Sequence, residues 1–238
     1  PYDAKKMPIK FFMRFFQNHG LFNVSKRPQW YTVKHRSRQY VNKVIEKISG
    51  EHFKNYKIEK IKRISNFVRI FYGSENEYFD YDKVIIATHA DEAKNMIEDK
   101  SEEEDKILGS FQYKKNLAII HSDEVVMPQK RINWSAWNTS ISKKNSSVTY
   151  WLNLLQNFKI NKNIFLTLNP FEQINREKII KKVEFTHPYY DHNTLKNQKN
   201  LNLIQNKKNT LFCGSYFGYG FHEDGIKSTI DMIKFLND

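Results

Sequence analysis

The sequence predicts a mixed α/β fold in which two α/β pieces flank a mostly antiparallel β-sheet. Three observations predict it. Lys83-Val84-Ile85-Ile86-Ala87-Thr88 is a short continuous apolar run, the pattern of a strand buried on both faces as in a parallel sheet. The middle of the chain is rich in strand-like segments and lacks helices long enough for parallel crossovers, which favours antiparallel pairing. Thr210-Leu211-Phe212-Cys213-Gly214 is a second short buried strand; glycines follow at 218 and 220, then a helix from about Glu223 to Leu236.

The elements follow in order. Residues 8–18 (PIKFFMRFFQN) place Ile9, Phe12, Phe15 and Phe16 at helical spacing. The segment NHGLFNVSKRPQW then turns, with Gly20 a candidate C-cap. Residues 37–49 read as a second helix: Ser37 caps it, Tyr40, Val41, Val44, Ile45 and Ile48 form its apolar stripe, and Gly50 ends it. Residues 56–64 and 67–72 are strand-like, and a Gly73-Ser74-Glu75-Asn76 turn leads to Tyr78-Phe79-Asp80. Helices are expected at 91–98 and 101–108. Strands are expected at 112–121, 131–138, 147–153, 163–168 and 181–186. No internal repeat or low-complexity tract interrupts the pattern. A chain that leaves a nucleotide-binding domain, builds a substrate domain and returns has this order.

Composition narrows the class. The 238 residues are 39% hydrophobic and 15% aromatic, too apolar for a disordered chain. No apolar run approaches the roughly 20 residues of a membrane span, and the N-terminus has no signal-peptide pattern. The one cysteine, Cys213, excludes an internal disulfide and fits a reducing compartment, so a cytoplasmic location is expected. Net charge is +13, but the excess is lysine (31 against 8 arginines), spread along the chain and mixed with acids. That distribution argues against nucleic-acid binding and leaves peripheral contact with an anionic inner membrane face open. The chain begins at Pro1-Tyr2-Asp3 without an initiator Met, which suggests a fragment.

The most informative stretch is residues 211–228, LFCGSYFGYGFHEDGIKS. A buried strand runs into glycines and opens a helix. A ligand at the end of such a strand meets free backbone N–H groups and the positive end of the helix dipole. An ordinary glycine-rich turn with a well-capped helix has the same pattern, since Glu223 and Asp224 suit any helix start. No GxGxxG fingerprint occurs anywhere.

Several blocks in one order carry a resemblance: FFQNHGLFNVSKRPQW with SRQYV, DKVIIATHADEA, NLAIIHSDEVVMP, WSAWN, VTYWLNLLQ, FLTLNP, HPYYD and FCGSYFGYGFHEDGIKS. Together they resemble the C-terminal portion of the amine-oxidase-like, FAD-dependent oxidoreductases, in particular their bacterial branch of predicted NAD/FAD-binding proteins. The resemblance implies a partial FAD-binding, Rossmann-like domain with an inserted substrate domain. It also implies that the N-terminal βαβ unit with GxGxxG, which holds the ADP half of FAD, is a missing partner segment. The implied divisions are 1–34, a helical segment of the substrate domain; 35–98, part of the FAD domain; 99–205, the substrate domain; and 206–238, the FAD-binding strand–turn–helix.

By the same resemblance, Gly214 and Ser215 lie near the pyrophosphate and ribityl chain, and Gly218 and Gly220 let the turn pass close to the ring. Phe221 belongs to the same block, and the backbone at His222, Glu223 and Asp224 aims N–H groups at the flavin O2 edge. Ala87, Thr88 and the backbone of Ile61 face the adenosine half. Two departures stand out. Related members have Gly-Gly-Ser where this chain has His35, Arg36 and Ser37. The lysine that many amine oxidases place under flavin N5 is replaced by Asn116 or Leu117, with Lys114 and Lys115 out of register.

The implied reaction is hydride transfer from a substrate C–N or C–C bond to flavin N5, with reoxidation by oxygen or another acceptor. Tyr150, Trp151, Tyr189 and Tyr190 are candidate substrate-binding aromatics, which could equally build the core. No catalytic residue is assigned. Trp134 and Trp137 fall on opposite faces if their segment is a strand. None of the eight histidines matches a zinc spacing such as HExxH, so no metal is expected. Two alternatives remain: a desaturase or isomerase acting on lipid acyl chains, and a non-catalytic relative that has lost FAD.

Overall fold

The computed structural model describes residues 7–25, 28–29, 31–73, 77–142 and 145–236. Lys26, Arg27 and Trp30 of the NHGLFNVSKRPQW segment, Ser74, Glu75 and Asn76 of the expected turn, and Pro1-Tyr2-Asp3 lie outside the described residues. The chain divides into two compact units, one formed by Tyr113–His187 and one by the sequence on either side of it.

The flanking unit begins with α1 (Ile9–Asn18) and α2 (Arg38–Ile45). The second helix is shorter than the expected 37–49, and neither helix buries a residue. A three-stranded antiparallel meander follows: β1 (Ile58–Ile64), β2 (Phe67–Tyr72) and β3 (Tyr78–Tyr81). Next come β4 (Val84–Ile86), α3 (Ala90–Met96) and α4 (Glu102–Leu108). Ser101 caps α4: its hydroxyl accepts from Glu104 N–H at 3.2 Å, while the Glu104 carboxylate accepts from Ser101 N–H at 2.7 Å. That carboxylate also takes both guanidinium nitrogens of buried Arg63 from β1. Arg63 continues to Asp99 at 3.1 Å, and Asp99 to Lys208 at 3.0 Å. Burial alone would raise the Glu104 carboxyl, but Arg63 and the Ser101 N–H outweigh it and hold it below its ordinary range.

The inner unit is a five-stranded sheet in the order β6-β7-β8-β5-β9. Its strands are β5 (Gln112–His121), β6 (Trp137–Ile141), β7 (Ser146–Trp151), β8 (Phe165–Leu168) and β9 (Ile179–Tyr189), with the single-turn helix α5 (Leu152–Leu155) after β7. The antiparallel expectation holds for the pairs β5–β8, β6–β7 and β7–β8. The strand expected at 131–138 is instead a 3₁₀ turn at Arg131–Asn133 followed by β6. The break lets the Trp134 indole donate to Pro128 O at 2.7 Å and pack against a core of Ile119, Val126, Met127, Phe165 and Ile174.

The chain then re-enters the flanking unit through α6 (His192–Gln198), β10 (Thr210–Phe212) and α7 (His222–Ile233). β10 pairs in parallel with β4. β10 is buried throughout, whereas β4, expected to be buried on both faces, exposes Ile85 and is buried on one face only. The two edges of this small sheet differ. Val84 N–H bonds Asn209 O, and Cys213 N–H bonds Ile86 O. In a parallel ladder this turns Ile85 N–H and C=O away from β10, toward an edge that no strand covers among the described residues. On the far side of β10, the Gln205 side-chain amide accepts from Phe212 N–H at 2.9 Å and donates to Phe212 O at 2.7 Å.

Candidate functional site

The site is built where β4 and β10 end and α7 begins. Gly214 N–H donates to Ser228 Oγ at 2.9 Å, and that hydroxyl donates to Gly225 O at 2.7 Å. Buried Ser228 thereby fastens the strand end to the helix. The turn between them is held by Asp224, whose Oδ2 accepts from Tyr219 N–H and Phe221 N–H, both at 2.9 Å. Glu223 is directed to solvent, 3.6 Å from Lys227. The N–H groups of His222 and Glu223 carry no hydrogen bond among the described residues, as the first turn of a helix leaves them.

A cleft of about 490 Å³ opens on this helix end. Of the residues singled out from sequence, it brings together Ala87, Gly214, Ser215, Gly220, Phe221 and His222. Its other lining residues are Tyr40, Cys213, Gly225, Ile226 and Thr229. Tyr40 reaches it from α2 and lies 3.2 Å from His222 Nδ1 through its hydroxyl. Among the described residues no acidic side chain lines the cleft. Mostly apolar walls, unbonded N–H groups and a positive helix end suit a flat group that carries partial negative charge.

The remaining candidates sit elsewhere. Asp224 N–H is taken by Phe221 O at 3.0 Å, so that amide is not offered to a ligand as expected. A Cβ on Gly218 would overlap the Asp224 carboxylate; close packing inside the turn accounts for this glycine without a ring beside it. Gly220 has a φ of +91°, and a Cβ there would lie 3.2 Å from the Tyr190 hydroxyl. Thr88 is exposed, with its hydroxyl donating to His89 O at 3.1 Å. Ile61 is buried in β1, and its carbonyl accepts from Glu98 N–H at 3.0 Å, so that backbone oxygen is already engaged.

The four aromatic candidates also separate. Trp151 turns into the core of the inner unit, edge-on to Trp134 at 5.2 Å, and its indole donates to Asn163 Oδ1 at 3.1 Å. Tyr150 lies on the opposite face of the same strand, edge-on to Trp137 at 5.9 Å, and burial raises its hydroxyl pKa. Tyr190 is buried and stacks on Phe11 at 4.7 Å. Tyr189 is half-buried. Asn116 holds Asn169 at 2.7 Å and His187 at 3.1 Å.

His121 is wholly buried. Its Nδ1 accepts from Asp123 N–H at 3.1 Å, which leaves the proton on Nε2, 2.8 Å from Thr167 Oγ1. Burial holds its pKa below the ordinary value against the pull of Asp123. Among the described residues no group of three or more His, Cys, Asp or Glu could hold a metal ion, and no helix is long and apolar enough to cross a membrane.

No protein-family model matches the chain, and no curated protein matches it in sequence. Solved structures do match it in fold. A CLA-producing fatty acid isomerase from P. acnes aligns with a TM-score of 0.60 at 11% identity, over 84% of this chain and 52% of its own. Putrescine oxidase bound to putrescine gives 0.55 at 9%, over 84% and 53%. A protein described as a protoporphyrinogen oxidase, from Exiguobacterium sp. 255-15, gives 0.56 at 10%, over 94% and 57%. The chain spans about half the length of the structures it matches. Its mixed α/β fold with antiparallel sheets is thus a fold found within a group of oxidases and isomerases.

Proposed function

We propose that the chain is the substrate-domain and flavin-edge portion of an FAD-dependent, amine-oxidase-like oxidoreductase. One observation carries the reading: six residues that the resemblance implies for cofactor binding line one cleft, at the carboxyl ends of two parallel strands and the start of a helix. Crevices at that place in open α/β sheets are where such folds bind nucleotides. The fold group, with its oxidases, supports it. On this reading 35–98 and 206–238 belong to the FAD domain, and 1–34 and 99–205 to the substrate domain, although α1, α4 and α6 of the latter fall in the flanking compact unit.

Within the cleft, the N–H groups of His222 and Glu223 would meet the pyrimidine edge of the flavin, where the α7 dipole favours the charge of the reduced ring. Gly214 and Ser215 would border the ribityl and pyrophosphate, and Ala87, Phe221 and Ile226 would exclude water. Bound FAD would supply the two-electron chemistry, taking up a hydride from a C–H bond on the carbon of a substrate C–N or C–C bond, which would become a double bond as the neighbouring atom loses a proton. The other half of the cofactor site would come from an additional α/β segment bearing a GxGxxG turn. The open β4 edge at Ile85, 46% exposed, and exposed Ile226, Ile230 and Ile233 on α7 support such a partner. The +13 charge supports peripheral contact with an anionic membrane face.

Flavin fluorescence titrations test the reading. FAD should bind weakly to this chain and tightly, with visible flavin absorbance retained through gel filtration, to a version joined to the GxGxxG segment. A joined version that stays colourless after reconstitution would rule the proposal out.

A further inference from the structure

We infer that a cavity behind α7, separate from the cleft described above, is a second binding site, and that it takes a small phosphomonoester with an apolar body. The inference goes beyond the flavin reading and does not rest on it.

Helical periodicity separates the two sites. His222, Gly225, Ile226 and Thr229 line the first cleft, and Asp224, Lys227, Ser228 and Asp231 line the cavity. At 100° per residue these sets fall on opposite faces of α7. The cavity measures about 560 Å³, a volume usual for small-molecule sites. It lies between α7 and the segment that leads from α6 into a 3₁₀ turn at Leu201–Ile204. Gln205, Ser228 and Met232 are its buried lining. Gln205 is fixed by Phe212, and Ser228 by Gly214 and Gly225. Gln198 Nε2 donates to Tyr216 O at 2.8 Å and to Gly218 O at 2.5 Å, which ties α6 to the turn before α7. The walls are therefore held without a ligand, and binding costs little ordering.

Charge gives the ligand class. Among the described residues two aspartates and three lysines line the cavity. Both aspartates are engaged, Asp231 with Lys234 at 2.6 Å and Asp224 with the N–H groups of Tyr219 and Phe221. Among the described residues the side chains of Lys199 and Asn202 have no partner, and Lys227 has only Glu223, 3.6 Å away and exposed. Such a contact is worth little in water. Lys199 and Asn202 come from one wall and Lys227 from the other, so two uncompensated cations and an amide face one space. A dianion satisfies both cations, whereas a carboxylate satisfies one. Phe217, Met232 and Phe235 supply the apolar surface for the rest of the ligand.

The test is calorimetry on the full chain without flavin, with phenyl phosphate as the ligand, so its outcome is independent of cofactor binding. Saturable binding is expected. Inorganic phosphate lacks the body and benzoate the second charge, and each should bind at least about tenfold more weakly. Lys199→Gln and Lys227→Gln alter exposed side chains that the fold does not need, and each should weaken phenyl phosphate by about fivefold or more. Lys60→Gln removes the same charge from β1 and should change the affinity by less than about twofold. Ala87→Trp, whose indole would fill the first cleft, should leave it unchanged. Absence of binding would overturn the inference. So would equal losses in all three lysine variants, which would trace the attraction to the +13 net charge, or a loss in Ala87→Trp, which would put the anion at the start of α7. Benzoate or inorganic phosphate binding as tightly as phenyl phosphate would overturn the ligand class.

Discussion

His35 and Arg36 hold φ angles of +62° and +70°, the left-handed region that costs an L-residue about 1–2 kcal/mol. The resemblance implies two glycines there. Both residues are exposed, and Arg36 N–H donates to Val33 O at 2.8 Å in the same turn. Replacing both residues by glycine should stabilise the protein by about 1 kcal/mol, after allowing for glycine's greater freedom in the unfolded chain. Thermal unfolding reads this directly, and a lower melting temperature would show that the two side chains contribute more than the strain costs. Single residues also mark what a sequence conceals. Gly218 and Asp224 look like two members of a ligand loop, yet each is explained by the other: the carboxylate occupies the space that a Cβ would need.

At the scale of elements, local signals were the readable ones. The Ser101-Glu102-Glu103-Glu104 run marks the start of α4 because capping is a contact between near neighbours. The second partner of Glu104 lies 41 residues upstream in β1, and no local pattern announces it. Glu104→Ala should therefore cost far more than a lost cap. Arg63 would stay buried with only Asp99 to balance it, a loss of about 3–5 kcal/mol, measurable by urea unfolding; a loss under about 1 kcal/mol, the usual value for a cap alone, would mean that Arg63 gains compensating water. The same limit explains Tyr40. It reads as one member of an apolar stripe, and only the chain's return at His222, 182 residues later, gives its hydroxyl a partner at the cleft. The strand expected at 131–138 begins only at Trp137, because Trp134 sits in the preceding turn, with its indole donating to Pro128 O and its ring packed on the core of the inner unit.

For the whole molecule, stability should depend on pH in two steps. His121 has a folded pKa below its unfolded value of about 6.5, so its contribution is complete above that pH and declines as pH falls through the folded value. Glu104, Asp99 and Asp123 are also lowered. Their contribution is complete above the ordinary carboxylate range and is lost below it, in more acid solution. Unfolding free energy should thus be flat above neutrality, fall first below pH of about 6.5 and fall again below about 4. Replacing His121 by Gln should remove the first decline and keep the second; an unchanged profile would assign that decline to another group. The order of α/β, antiparallel and α/β segments was legible because each run was long enough to show its period. The convergence of Ala87, Gly214 and His222 was legible only through resemblance, since spacing says nothing about which loops meet.

The Gln205 amide behaves as a one-residue counterfeit strand. By satisfying both polar groups of Phe212, it seals that flank of the two-stranded sheet and leaves Ile85 on the unsealed flank. Growth of the sheet is therefore one-directional: an incoming polypeptide can add beside Val84–Ile86, whereas at β10 it would first have to evict a side chain that is already seated.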